Sequence, residues 1–372
     1  MRIAFYCNLM GWPKRSAGGV RQWVLTMANA LVERGHEVDV LSEAPRWKFV
    51  DEPQLDPRVG RVILGKLFAR RRLDAYVRAH PGVRIVAALN EYNIGAAKLK
   101  QRVGANAYVM LTERENLSAD VQWRSPKRYE RAVAEVRRHF NEADAVVSVS
   151  RGLTDDLREN FAIDPARLHT IYNPTYREAY VRSAPDPVDH PWLVAKDQPV
   201  VVAAGRLHFV KGFDDLLEAF ALVRGAMPAR LIILGEGKER AALEAQVARL
   251  GLQDCVAMPG RQPSTAPWFS RSDLFVLSSR REGLPAVLIE AMSVGVPVVA
   301  TDCPSGPHEI LDGGRFGPLV PVGDPVALAA AMLRVLQGKR PDPEPLQARA
   351  AEFSLERALA QYLALWQQPP RA

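Results

Sequence analysis

Two carboxylates in one short stretch, Glu282 and Glu290, are the residues of this chain best placed to do chemistry; they lie in LFVLSSRREGLPAVLIEAMSVGVPVVATDCPSGPHEI, residues 274–310. The apolar run Leu274–Leu277 reads as a buried parallel strand, and Pro285 suits the first position of the helix that follows. The free amides at such a helix start attract an anion. Further along the same helix, Glu290 offers two oxygens to a pair of neighbouring hydroxyls, as on a ribose. A helix start for phosphate and a carboxylate for vicinal hydroxyls together make sugar-nucleotide chemistry.

Other loops offer compatible groups. Gly205-Arg206 and Lys211-Gly212 follow a predicted strand at 200–204, at the edge where open α/β sheets bind ligands. Arginine supplies a planar fork and lysine a movable point charge, a pair suited to a diphosphate, although solvated cations near a helix start look the same. Gly235-Glu236-Gly237 and Gly260-Arg261 end two further strands and could wall a base through backbone groups, or be ordinary turns. Gly18-Gly19, between the first strand and a helix from about Val20, would let amides approach a phosphate, or form a tight turn. It is not G-x-G-x-x-G, and Glu43 comes late for the acid of a nicotinamide dinucleotide site.

The elements that must carry these loops alternate from end to end as strand and helix, the pattern of parallel α/β domains. Strands are expected at about 2–7, 37–42, 83–89, 107–112, 145–150 and 168–172, then at 200–204, 230–234, 255–258, 274–277, 297–301 and 318–321. The pattern stops in the Pro- and Asp-rich stretch between them. The expected organisation is therefore an N-terminal domain 1–181, a linker 182–198, a second domain 199–350, and a C-terminal segment 351–372 whose amphipathic helix returns to the first domain.

At 372 residues and 48% hydrophobic content, the chain can bury two large cores. Its net charge of +7 is uneven: residues 1–180 carry 29 Lys and Arg against 21 Asp and Glu, the remainder 20 against 21. The basic half points to an anionic partner, a phosphate-bearing substrate or an acidic membrane, more than to nucleic acid. Cys7, Cys255 and Cys303 are few and scattered, against a disulfide framework and for a reducing compartment. The first apolar run is too short for a signal peptide, and no uncharged apolar stretch of about 18 residues is present, so the expectation is a cytoplasmic protein, at most docked on a membrane. Lys66–His80 places Leu67, Leu73, Tyr76 and Val77 near one helical face with Arg70, Arg71, Arg72 and Arg78 around it, a helix that could lie on anionic lipid or pack on its own sheet. His36, His139 and His169 read as structural, while His208 and His308 lie in candidate site loops.

Taken together, AGRLHFVKGFDDLLEAF, LIILGEG, the stretch from Ser272 to Leu311 and the early AGGV loop resemble the retaining GT-B glycosyltransferases of family 4. The resemblance implies two Rossmann-like doubly wound parallel-sheet domains facing across a cleft, the donor held mainly by the second and the acceptor by the first. It implies that Glu290 binds the donor ribose, that Arg206 and Lys211 hold the diphosphate, and that Glu282 faces the transferred sugar with the backbone of Gly283 and Leu284 close by. It further implies that Gly19 approaches the diphosphate from the other domain. Fixed cations and amides would stabilise the leaving diphosphate, so no metal or other cofactor is expected, and the chain has no D-x-D sequence. Where many relatives place a His near the acceptor, this chain reads YVMLTERENLS, so Glu113 or Arg114 takes that place. Glu113 would accept or orient the acceptor hydroxyl's proton, or else pair with a nearby cation. The expected reaction is transfer of a sugar from a nucleotide diphosphate, with uridine as the base, to a glycan or polyprenyl-linked acceptor in cell-surface polysaccharide synthesis. The alternatives are a non-catalytic sugar-nucleotide binder on the same fold and, lacking its fingerprint, a nicotinamide oxidoreductase.

Overall fold

The computed structural model describes residues 1–7, 19–43, 54–118, 126–338 and 342–371. The chain forms two compact units, Met1–Pro174 with Leu355–Ala372, and Thr175–Ser354.

In the first unit seven strands run in parallel: β1 (Arg2–Tyr6), β2 (Glu37–Ser42), β3 (Gly60–Ile63), β4 (Val83–Ala88), β5 (Ala107–Glu113), β6 (Ala145–Ser148) and β7 (Leu168–Thr170). Their order is β3-β2-β1-β4-β5-β6-β7, so the direction of winding reverses between β1 and β4. β4 to β6 are almost wholly buried apolar runs, because helices cover both faces of a parallel sheet. β3 was not anticipated. It is a four-residue edge strand, half-buried throughout and opening on a glycine, and it gives little apolar signal.

The second unit has six parallel strands, β8 (Val200–Ala204), β9 (Arg230–Leu234), β10 (Val256–Gly260), β11 (Leu274–Leu277), β12 (Val298–Thr301) and β13 (Leu319–Val320), in the order β10-β9-β8-β11-β12-β13. Here the winding reverses between β8 and β11. That switch point is where a doubly wound sheet opens a crevice beyond the carboxyl ends of its strands.

The division between units falls at Pro174/Thr175, not in 182–198. The stretch expected to be a linker packs on the second unit. Val188 and Leu193 are buried, Ser270 and Arg271 donate to the Ala184 carbonyl at 2.8 and 3.1 Å, and Lys196 pairs with Asp273 at 2.7 Å. Proline removes regular structure from this segment, but side-chain donors satisfy its carbonyls and hold it in place.

The C-terminal return begins at Leu355, since the preceding helix Pro343–Ala351 belongs to the second unit. Helix Leu355–Trp366 buries Ala358, Leu359, Tyr362, Leu365 and Trp366 in the core of the first unit. Tyr362 stacks on Trp366 at 5.4 Å and meets Trp23 at 6.0 Å. Beyond the helix the tail is held by charge. Lys100 and Asp144 form a buried pair at 2.9 Å; Lys100 also donates to the Arg371 carbonyl at 2.7 Å, and Asp144 accepts from the amides of Arg371 and Val109, both at 2.6 Å.

Asp144→Ala leaves a buried ammonium without its carboxylate and two amides without an acceptor. The expected loss is about 3–5 kcal/mol of unfolding free energy, read from urea titrations of wild type and variant. A loss below about 1 kcal/mol would show that the pair is not what anchors the tail.

Candidate functional site

Because β8 and β11 are neighbours, the loops after them meet. The loop after β8 passes Gly205 and Arg206 into the short helical turn Phe209–Lys211, which His208 opens by accepting the Val210 amide on Nδ1 at 3.3 Å. Burial, then the nearby Lys238 and Arg206, hold the His208 pKa down, which favours the neutral ring that such acceptance needs. At Gly212 the backbone takes φ +60°, and a Cβ there would stand 2.1 Å from the Ser278 carbonyl oxygen, so this approach of the two loops requires glycine.

Across that contact, Lys211 Nζ reaches Glu282 Oε1 at 2.5 Å, and Ser279 Oγ donates to the same oxygen at 2.6 Å. Ser278 Oγ donates to the Lys211 carbonyl at 2.9 Å and Ser305 Oγ to the Glu282 carbonyl at 2.6 Å. Arg280 fastens the two loops from the side: it bonds Asp214 and Asp215 at 2.8 and 2.6 Å, donates to the Phe209 carbonyl at 2.8 Å, and lies 4.3 Å over the Phe209 ring. A largely buried cation and carboxylate are thus held together by these bonds at the sheet's switch point.

The following helix is Ala286–Ser293, with Pro285 as its cap and not its first residue, one position later than the sequence suggests. Among the described residues no side chain caps its first turn, which leaves the amides there without a capping acceptor. Leu284, just before it, is buried. Glu290 lies within this helix, 16% exposed, and its Oε1 accepts from Arg177 Nη2 at 3.1 Å. Burial raises its pKa, while the Arg177 charge and hydrogen bonds from Arg177 and Thr265 oppose the rise. Thr265 in turn bonds the Tyr180 hydroxyl at 2.8 Å, and Arg177 lies 5.5 Å over the Tyr180 ring.

The loops after β8, β9 and β10 are stitched through the backbone. The Gly205 amide donates to Leu234, the Leu207 amide to Glu236 and the Gly235 amide to Gly260, at 2.9, 3.0 and 2.9 Å. Gly235 has φ +140°, and a Cβ there would fall 1.8 Å from the Gly205 carbonyl oxygen, so the wall closes only around glycine. Glu236 is occupied by Arg240 at 2.6 Å.

The structure therefore brings Lys211 to Glu282 and Arg177 to Glu290. Arg206 and Arg261 are exposed, and neither pairs with either acid among the described residues. His308 is exposed beside Asp302 at 3.2 Å. Of the glycine pair in the first unit, Gly18 lies outside the described residues; Gly19 opens helix Gly19–Glu33 with open space where a Cβ would stand. Arg177, Tyr180, Thr265, Ser279, Ser305 and Arg280 were not anticipated. Ser279, Arg280 and Ser305 lie inside the motif already singled out, but nothing local marks Arg177 as the partner of a residue 113 positions away.

In the first unit, Glu113 ends β5 and is 3% exposed. One oxygen accepts the amides of Arg114 and Glu115 at 2.9 and 3.2 Å; the other has no partner among the described residues. Burial pushes its pKa up to about 8. It does not form an ion pair with Arg114, whose guanidinium lies 3.7 Å over the Trp23 ring and donates to Asn173 at 2.5 Å. At neutral pH Glu113 keeps its proton, which suits it to donate a hydrogen bond rather than to take a proton.

Comparison with known proteins fits this architecture. Residues 17–178 match the "Glycosyltransferase Family 4" domain and residues 198–338 the "Glycosyl transferases group 1" domain. The chain belongs to these glycosyltransferases, and each unit is a Rossmann-like half of their GT-B fold. It is 27% identical over 203 residues to N-acetyl-alpha-D-glucosaminyl L-malate synthase of Bacillus anthracis, covering 54% of this chain and 52% of the relative. It is 28% identical over 198 residues to N-acetylgalactosamine-N,N'-diacetylbacillosaminyl-diphospho-undecaprenol 4-alpha-N-acetylgalactosaminyltransferase of Campylobacter jejuni, covering 53% and 52%. The matches thus span about half the length of these relatives. Among solved structures, Anabaena HepE in complex with UDP superposes with a TM-score of 0.77 at 20% identity, over 99% of this chain and 100% of that one.

Glu113 gives a test by linkage. Its folded pKa of about 8 stands above the ordinary 4.5, so the folded state holds a proton that the unfolded chain has lost. Unfolding free energy should therefore fall as pH rises from 5 to 8, by about 1 kcal/mol per pH unit from this group. Glu113→Gln should remove that slope. Urea midpoints at several pH values report the difference between wild type and variant, and parallel curves would mean that the carboxyl is ionised in the fold.

Proposed function

We propose that this protein is a retaining, metal-independent glycosyltransferase that takes a sugar from a uridine diphosphate donor and passes it to a glycan or polyprenyl-linked acceptor in cell-surface polysaccharide synthesis. The observation that carries the proposal is the Lys211–Glu282 contact at the β8/β11 switch point, with Glu290 on the helix that follows. In this reading Glu290 accepts two ribose hydroxyls, sharing or replacing its bond from Arg177. Lys211, Arg206 and the free amides around Gly283 and Leu284 meet the diphosphate, and Glu282 turns toward the transferred sugar. The stitched loop through Gly235 lies against the base, and Arg261 stands at its rim.

In this reading lysine, arginine and amides converge on the diphosphate and take up the negative charge that develops as it leaves, which is the role a divalent ion plays elsewhere. Same-face attack lets the departing phosphate take the acceptor's proton, so Glu113 acts by orienting the acceptor hydroxyl. Uridine is supported by the UDP complex of Anabaena HepE, and a lipid diphosphate acceptor by the name of the Campylobacter relative.

Calorimetric titration with UDP in EDTA tests the donor site directly. Glu290→Ala and Lys211→Ala each remove charge-assisted hydrogen bonds worth roughly 1.5–3 kcal/mol, so each should weaken UDP roughly 10- to 150-fold. GDP and ADP should bind more weakly than UDP. Unchanged affinity in both variants, or binding that requires added magnesium, would overturn the donor assignment. Slow release of UDP from a UDP-sugar by the wild-type protein separates an enzyme from a silent binder.

A further inference from the structure

Glu290 is held by more of its surroundings than a surface acid would be. Its Oε1 accepts from Arg177 Nη2 at 3.1 Å, and the Thr265 hydroxyl bonds the same carboxyl. Thr265 also bonds the Tyr180 hydroxyl at 2.8 Å. A hydroxyl has one proton to give, so when Thr265 gives its own to the carboxylate it takes one from Tyr180. Burial first, then the charge of Glu290, raises the Tyr180 pKa, so the phenol keeps that proton to donate. The Arg177 guanidinium lies 5.5 Å over the same ring. Arg177, Tyr180 and Thr265 thus form one connected group around a single carboxylate.

An ionised carboxylate has two oxygens with about four lone pairs between them. Arg177 occupies one and Thr265 another. Two are left, the number that a pair of neighbouring hydroxyls needs. A protonated carboxyl would lose an acceptor to its own O–H, so the fit to a ribose depends on the charge. Burial works against that charge, and Arg177 is the cation that opposes it. On the elements packed against helix Ala286–Ser293, the titratable side chains are His308 and Glu309 of helix Pro307–Ile310 and Glu344 and Arg349 of helix Pro343–Ala351. His308 faces Asp302 at 3.2 Å, Arg349 bonds Glu352 at 2.6 Å, and none of the four acts on the Glu290 pKa. Glu178, beside Arg177, pairs with Arg182 at 3.2 Å.

We propose that Arg177 is a positioning residue for the donor: it fixes one oxygen of the Glu290 carboxylate and preserves its charge, so that the group presents its two remaining acceptors to the vicinal hydroxyls of the ribose. This rests on the reading of Glu290 as the ribose acceptor. Arg177 acts through Glu290 and makes no contact with the donor itself. Its side chain is 42% exposed, so a polar substitution there leaves the packing of the second unit in place. Without the guanidinium, burial raises the Glu290 pKa further. The ionised carboxylate, and with it ribose binding, is then lost at a higher pH as the solution is acidified.

Calorimetric titration of UDP into wild type, R177Q, R177K and E290Q, between about pH 6 and about pH 9, tests it. The ionisation of UDP's own phosphate is common to all four proteins and drops out of their affinity ratios. R177Q should bind nearly as wild type does at the upper end and fall behind as pH drops, by about tenfold for each unit that separates the two carboxyl pKa values. R177K keeps a cation beside the carboxylate and should recover most of that loss. E290Q, neutral at every pH, should be weaker than wild type at the upper end of the range. If E290Q weakens UDP while R177Q tracks wild type at every pH, the role of Arg177 is overturned and the ribose reading stands. A loss in R177Q that is the same at every pH would put Arg177 on the donor directly, and tighter binding would make it a plug over the carboxylate; either result overturns the proposal. If E290Q binds UDP as wild type does, the ribose reading fails and this inference falls with it.

Discussion

The pairing of Lys211 with Glu282 is the contact on which the rest of the second unit's site depends. Neither residue is placed by its own loop alone. β8 must lie beside β11, although 69 residues separate their ends and starts, and Gly212 must admit the Ser278 carbonyl at a distance no Cβ would allow. Ser279 and Ser305 then fix Glu282 from its carboxylate and its carbonyl, and Arg280 ties the second loop to the aspartates that open helix Phe213–Ala226. A flexible ammonium and a flexible carboxylate lose little entropy on meeting because both loops are already held.

Three buried or half-buried acids meet different electrostatic fates, and the differences follow from what surrounds each. Glu282 has an ammonium and a hydroxyl on one oxygen. Glu290 is nearly buried, and Arg177 and Thr265 offset only part of the desolvation that raises its pKa. Glu113 has two backbone amides and no cation bonded to its carboxyl, so desolvation dominates and the proton stays. Chain position cannot distinguish these cases. Each of the three stands shortly after or at the end of a strand or inside the next helix, and what differs is which donors the rest of the fold brings to the carboxylate.

The strands were legible because parallel strands covered on both faces must be continuous apolar runs, and Val200–Ala204 or Leu274–Leu277 read that way without context. β3 was not, because an edge strand half in water needs no such run. The Pro-rich 182–198 segment misled for a related reason: lack of periodicity signals lack of regular structure, not lack of packing, and side chains from residues 270–273 supply what its backbone needs. Within the site, Glu282, Glu290 and the glycine loops could be read because a single strand-loop-helix unit contains their geometry. Arg177 and Thr265 could not, since their meeting with Glu290 is made by the tertiary fold.

The same limit governs Leu67 and Phe68. From spacing alone Leu67, Leu73, Tyr76 and Val77 share a face, and a basic amphipathic helix follows. Spacing cannot say that the sheet claims three of the four. Once it does, what stays exposed is Leu67 with Phe68, on a turn whose Leu64 carbonyl accepts from Arg72. The sequence pattern was right about which residues gather and silent about which side of them the protein keeps for itself; burial of Leu73, Tyr76 and Val77 is what turns a helix-wide pattern into a localised tip.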